Sequence, residues 1–175
     1  MKAITVLIIV YNLFFTITLA FAGNFQAGAE PNGFRDLQWA QDISTVKGMV
    51  LTKESRDKMK NSNPASLFYT RNNDILTIGS AKVEEIVYEF WFGKFFAVEI
   101  ICLGEGNYKK LKEATIASFG GGFTSDKVMH WYGEKSCMSI YPPQKNRATL
   151  SIWSSVIVKA QDTYIKEKNI KERGF

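Results

Sequence analysis

The chain has 175 residues, with 22 Lys and Arg against 17 Asp and Glu, a single His and two Cys. That length holds one ordinary domain and a leader but not two domains. The formal charge of +5 is mild, and its densest basic run, Lys166, Lys168, Lys171 and Arg173, is broken by Glu167 and Glu172, so a solvated helix face fits it better than a nucleic-acid footprint.

Lys2 opens the chain, an apolar stretch runs over residues 3–19, and Ala20-Phe21-Ala22 follows. This is the order of a cleavable secretory signal peptide over residues 1–22, with cleavage between Ala22 and Gly23. A spanning helix wants roughly 20 strongly apolar residues. This run is shorter and contains Asn12, so an uncleaved anchor is the lesser reading. Processing at that point removes only Lys2 from the charges, leaving 153 residues at +4. The expected location is the periplasm or the extracellular medium, with no membrane association once the signal is gone.

Residues 23–33 are small, polar or turn-forming and read as a flexible arm ahead of a single domain over 34–175. Phe34, Leu37 and Trp39 form an apolar entry segment. Asp42 is placed to cap a short helical turn through Val46 that Gly48 closes. Residues 52–63 are almost wholly polar, a surface loop or weak helix. From Leu67 the period becomes two. Strands are predicted over 67–70 and 75–78, with Asn72-Asn73-Asp74 turning between them.

Residues 83–91 and 95–103 are rich in β-branched and aromatic side chains, with Phe92-Gly93-Lys94 as the turn, and predict a hairpin. Ile86, Tyr88 and Phe90 fall on one face, as do Phe96, Val98 and Ile100. Asn107 is expected to cap a helix through Phe119, with Tyr108, Leu111, Thr115 and Phe119 on its apolar side. Gly120-Gly121-Gly122 stops it. Strands over 128–132, 137–141 and 149–153 follow, and Ser155 opens a last helix to about Arg173 with Ile157, Ala160 and Tyr164 as its packing stripe. The order predicts an α+β fold: an antiparallel sheet of hairpins with one internal helix and a C-terminal helix packed against it. Most connections are too short for parallel crossovers.

The segment Phe34-Arg35-Asp36-Leu37-Gln38-Trp39-Ala40-Gln41-Asp42-Ile43 resembles a recurring opening in uncharacterised secreted bacterial proteins. There an aromatic and an aliphatic residue precede a Trp-Gly or Phe-Gly step and a short capped helix; here Ala40 stands where glycine is usual. Ile86-Val87-Tyr88-Glu89-Phe90, the Gly93 turn, Leu111 through Phe119-Gly120, Trp131 and the strand at 150–153 extend the likeness over nearly all of the mature chain. The resemblance implies an envelope or secreted domain, loosely similar to the helix-on-hairpin modules of β-lactamase-inhibitor-like proteins. It assigns no functional residue.

Chemistry-bearing residues are sparse. An oxidising compartment permits a disulfide between Cys102 and Cys137, yet strand alternation puts Cys102 on a buried face and Cys137 on the opposite one. Two Cys and one His make a poor metal set, and no cofactor is expected. His130 lacks an obvious orienting carboxylate, although Cys137 lies seven residues away across a turn at Gly133. The triple glycine follows a helix and leads to Phe123, which is the wrong context for a phosphate loop. Glu84, Glu85, Glu89 and Glu99 read as the wet side of a sheet rather than a paired acid and base.

Exposed aromatics are the strongest functional signal: Trp91, Phe92 and Phe95 are expected at the hairpin tip, with Trp153 opposite Leu150 and Ile152. Large apolar groups are rarely left bare without a helix over them or a partner to meet. The functional expectation is a non-enzymatic binding or accessory domain whose partner is another envelope or secreted protein or an anionic envelope polymer. An inhibitor of a secreted hydrolase is the second reading, and a small hydrolase using His130 the third.

Overall fold

The computed structural model describes residues 24–61 and 65–172. The proposed signal peptide, its Ala22–Gly23 junction and Arg173 lie outside the described residues. In chain order the elements are β1 (Gly33–Phe34), β2 (Leu37–Gln38), a 3-10 turn (Ile43–Thr45), β3 (Met49–Leu51), α1 (Lys53–Asn61) and β4 (Ser66–Arg71). There follow β5 (Thr77–Ile78), β6 (Ala81–Lys82), β7 (Glu85–Trp91), β8 (Lys94–Leu103) and α2 (Glu105–Phe119). The last are β9 (Phe123–Ser125), β10 (Val128–Tyr132), β11 (Ser136–Gln144), β12 (Arg147–Ser154) and α3 (Ser155–Glu172).

The fold is α+β, built on one eight-stranded antiparallel sheet in the order β3-β4-β7-β8-β12-β11-β10-β9. The order is a palindrome. Four strands lead into α2, four more lead into α3, and the two sets join where β8 pairs with β12 through Ile100 and Leu150. β1 with β2 and β5 with β6 form small separate hairpins.

Period-two alternation drives the core. Ile86, Tyr88 and Phe90 of β7 are buried together with Val98, Ile100 and Cys102 of β8, Ala148, Leu150 and Ile152 of β12, Met138 and Ile140 of β11, and Trp131 of β10. α2 lies on this face through Leu111 and Tyr108, with Thr115 beside them. Each valine, leucine, isoleucine, phenylalanine or methionine side chain among them stabilises the fold by roughly 1.5–3 kcal/mol on leaving water. Asn107 sits in the first turn of α2 rather than capping it. Its amide donates to the Leu103 carbonyl at 3.0 Å and its Oδ1 accepts from the Lys82 N–H at 3.1 Å, tying the helix to β6.

One register differs from the alternation read in the sequence. Glu89 pairs with Ala97 while Phe90 pairs with Phe95, so β8 carries an extra residue, Phe96. This bulge shifts the phase of the strand. Phe95 therefore enters the core against Phe90, Tyr88 and Trp39, and Phe96 leaves the set formed by Val98 and Ile100.

The described part of the expected flexible arm is docked. Asn24 makes a parallel bridge to Tyr132, the Gln26 N–H donates to the Phe119 carbonyl, and the Glu30 carboxylate accepts from the Ser136 N–H at 2.8 Å. Trp39 donates its indole N–H to the Ser136 hydroxyl at 2.8 Å. Ala40, standing where the resemblance leads one to expect glycine, adopts φ +65° and still makes the turn, its N–H donating to the Phe95 carbonyl. Asp42 caps the 3-10 turn by accepting from the Ser44 N–H. The Ser44 hydroxyl and then this N–H, with Lys94 beside them, hold its carboxyl down at about 2.

Candidate functional site

The two faces of the large sheet are unlike. Side chains that alternate away from the core form three cross-strand rows, because antiparallel partners share a face. One row runs His130, Ser139, Ser151, Glu99, Val87. Beside it runs Tyr132, Cys137, Trp153, Ala97, Glu89, Phe68. On the other side lie Tyr141, Thr149, Ile101 and Glu85.

Helices occupy the margins of this face. At the β4 margin α1 is fixed by the Phe68 N–H donating to the buried Ser55 hydroxyl at 2.7 Å, with the Lys58 ammonium over the Phe68 ring. α3 leaves from the end of β12, where Ser155 Oγ lies 3.3 Å from Cys137 Sγ. It then carries Tyr164 onto Trp91 and Phe92, with ring centroids 5.9 and 5.3 Å apart. Between these margins Glu99, Tyr132 and Tyr141 are exposed.

His130 meets Ser139, not Cys137: Nδ1 lies 2.7 Å from Ser139 Oγ, and the ring stacks on Tyr132. Ser139 is 2 % exposed, so its hydroxyl orients the imidazole and is closed to a substrate carbonyl. Cys137 instead faces the α3 start. Cys102 and Cys137 are both free thiols. Cys102 pairs across to Ala148 in the core while Cys137 pairs to Trp153 on the far face, so the permitted disulfide does not form: the sheet itself separates them.

Glu89 and Glu99 share the uncovered face as diagonal neighbours, since Glu89 opposes Ala97 and Glu99 opposes Val87. Burial pushes the Glu89 carboxyl up to about 7; a Ser66 hydrogen bond opposes the shift, Glu99 adds to it and Lys58 pulls it back. Such a group holds a proton near neutrality, but it lies at the α1 margin and not in an open cleft.

Of the aromatics singled out in the sequence, Trp91 and Phe92 do touch, at 5.0 Å, and Tyr164 completes the cluster. Phe95 does not belong there. It is fully buried, because the bulge turns it inward. Trp153 lies on the uncovered face between Cys137 and Ala97. Sequence reasoning passed over Tyr132 and Tyr141. Their alternation with Trp131 and Ile140 carried the signal, but only the cross-strand register places them on one face.

At one end of that face the β11–β12 hairpin makes its turn. Its register slips between Tyr141 and Gln144, where Pro142 and Pro143 sit, and it turns at Lys145-Asn146 with φ +48° and +71°. Beside it is a groove of about 550 Å³ bordered by Glu99, Tyr141, Gln144, Arg147, Thr149 and Ser151, with Pro142 and Lys145 of the hairpin completing the rim. A second concavity, of about 590 Å³, lies near the β4–β5 connection. There Arg35 pairs with Asp74, Arg71 grips Asp36 with one bond of 2.8 Å, and the buried Tyr88 hydroxyl donates to Asp74 at 2.7 Å. Arg71 holds the Asp36 carboxyl below its usual range, and burial together with Asp74 drives the Tyr88 hydroxyl far above its own. Among the described residues no cluster of His, Cys, Asp and Glu can hold a metal ion, and no helix is long and apolar enough to cross a membrane. Compared with known protein families, curated proteins and solved structures, the chain matches none.

Proposed function

We propose that the mature chain is an exported, non-enzymatic binding module of the envelope or extracellular space, and that its ligand surface is the uncovered face of β8, β12, β11 and β10. The observation that carries this reading is the asymmetry of the sheet. One face is sealed by α2, while the other presents Glu99, Tyr132 and Tyr141 to solvent with a groove at one end. Aromatic and polar groups mixed on a rigid element are what an interface or ligand platform uses. Export rests on Lys2, the apolar run over 3–19 and Ala20-Phe21-Ala22. The non-enzymatic reading rests on the closed Ser139 hydroxyl and on the marginal position of Glu89.

The Trp91–Phe92–Tyr164 cluster is the lesser surface, because α3 already covers part of it. The test is retention of envelope polymer and protein fractions on immobilised chain. Ser151→Arg, at the centre of the face, is expected to abolish retention without moving the unfolding midpoint, while Trp91→Ala with Phe92→Ala leaves it intact. Retention undiminished by Ser151→Arg would place the surface elsewhere. In the producing cell, the protein is expected to carry Gly23 as its first residue by mass spectrometry; a chain retaining Met1 and Lys2 would remove the export half of the proposal.

A further inference from the structure

Two sets of polar side chains elsewhere among the described residues are satisfied by one another. Arg35, Asp36, Arg71, Asp74 and Tyr88 form a closed set, and Glu30, Ser136 and Trp39 form another. The groove beside the β11–β12 hairpin is different. Glu99, Tyr141, Gln144, Thr149 and Ser151 all border it, and none of their side chains takes part in any hydrogen bond described above. Arg147, also on its border, reaches only Glu85, at the loose distance of 3.9 Å. Unpaired donors and acceptors therefore converge on one concavity whose size, about 550 Å³, is that of a small-ligand site.

The lining also selects a ligand chemistry. Tyr141 is 38 % exposed and offers a flat apolar ring. Around it stand a carboxylate, a guanidinium, the Lys145 ammonium, an amide and two hydroxyls, that is, acceptors and donors of both signs. A polyanion would need a basic field, which Glu99 and Glu85 interrupt, and an apolar ligand would strand the polar groups. A pyranose ring has an apolar C–H face to lie on an aromatic ring, and equatorial hydroxyls that both donate and accept. We propose that this groove is a saccharide subsite: the sugar's C–H face stacks on Tyr141, and its hydroxyls bond to Glu99, Arg147, Gln144 and the hydroxyls of Thr149 and Ser151. The natural ligand is then an uncharged or zwitterionic stretch of an envelope glycan. This rests on the binding-module reading and makes it specific.

Isothermal titration of the chain with chitotetraose, cellotetraose, maltotetraose and a purified disaccharide–peptide fragment of peptidoglycan tests it. Binding of at least one of these is expected at concentrations below about 1 mM. Tyr141→Ala is expected to weaken it about tenfold, Glu99→Gln by a similar factor, and Tyr141→Phe, which keeps the stacking ring, by much less. Trp91→Ala, remote from the groove, is expected to bind as the parent does. Absence of binding by all four saccharides, or binding unaffected by Tyr141→Ala and Glu99→Gln in variants that keep the parent's unfolding midpoint, would overturn the inference. If the saccharides fail while Ser151→Arg still abolishes retention of an envelope protein, the face binds protein and only the saccharide assignment falls.

Discussion

α2 and α3 follow strands that pair directly with each other, yet they end in different situations. α2 closes one face of the sheet: Leu111 is inaccessible, and Tyr108 and Thr115 are buried beside it. α3 buries only Ser155 and Ile157, touches Trp91 and Phe92 through Tyr164, and leaves Val156, Ile165 and Ile170 exposed. A palindromic strand order does not produce equivalent faces. α2 lies over one face, and among the described residues the centre of the other face is left without a helix over it.

The sharpest way to break that comparison is to shorten one apolar side chain on each helix, a buried one on α2 and an exposed one on α3. Leu111→Ala should cost about 3 kcal/mol by urea unfolding, as a core leucine does. Ile165→Ser on α3 should stay within about 0.5 kcal/mol, the usual range for an exposed site. Equal losses would mean that α3 seals its face as α2 does.

The next test concerns the uncovered face. The folded Glu89 carboxyl sits near 7 against an ordinary 4.5, so the folded state holds the proton more tightly than the unfolded chain. Stability is then fullest below about pH 4.5 for this group and falls as pH rises to about 7, by about 3 kcal/mol. Glu89→Gln should flatten that part of the stability–pH curve and leave the variant the more stable of the two at pH 8. A curve unchanged by the substitution would place Glu89 in open water.

The smallest effect concerns the entry turn. Ala40 holds φ +65°, a conformation that costs an L-residue about 1 kcal/mol, partly offset because alanine restricts the unfolded chain. Ala40→Gly should therefore raise stability by about 0.5 kcal/mol in thermal or urea unfolding. A loss would mean that the turn is not strained.

Much of this was legible in residue order. The β7–β8 hairpin, α2, the strands of the second half and the Asp42 cap follow from period, turn residues and capping chemistry acting over a few positions. The failures have one physical origin. The bulge at Phe96 is set by pairing between strands, so Phe95 read as surface and is core. The short strands β1, β3, β6 and β9, each of two or three residues, carry no measurable period and exist because a neighbour pairs with them. The arm looked free because Glu30 and Gln26 find their partners more than ninety positions away, at Ser136 and Phe119. The uncovered face was invisible for the same reason: Glu99, Ser151, Ser139 and His130 come from four strands and align only through register.

The central claim is that ligand meets the uncovered face. Amide NMR spectra of isotope-labelled chain beginning at Gly23, titrated with soluble envelope glycan fragments, test it directly. Shift changes confined to β8, β10, β11 and β12, largest around Glu99, Tyr141, Thr149 and Ser151, are the predicted result. Changes centred on Trp91, Phe92 and Tyr164, or on the surface of α2, would contradict it.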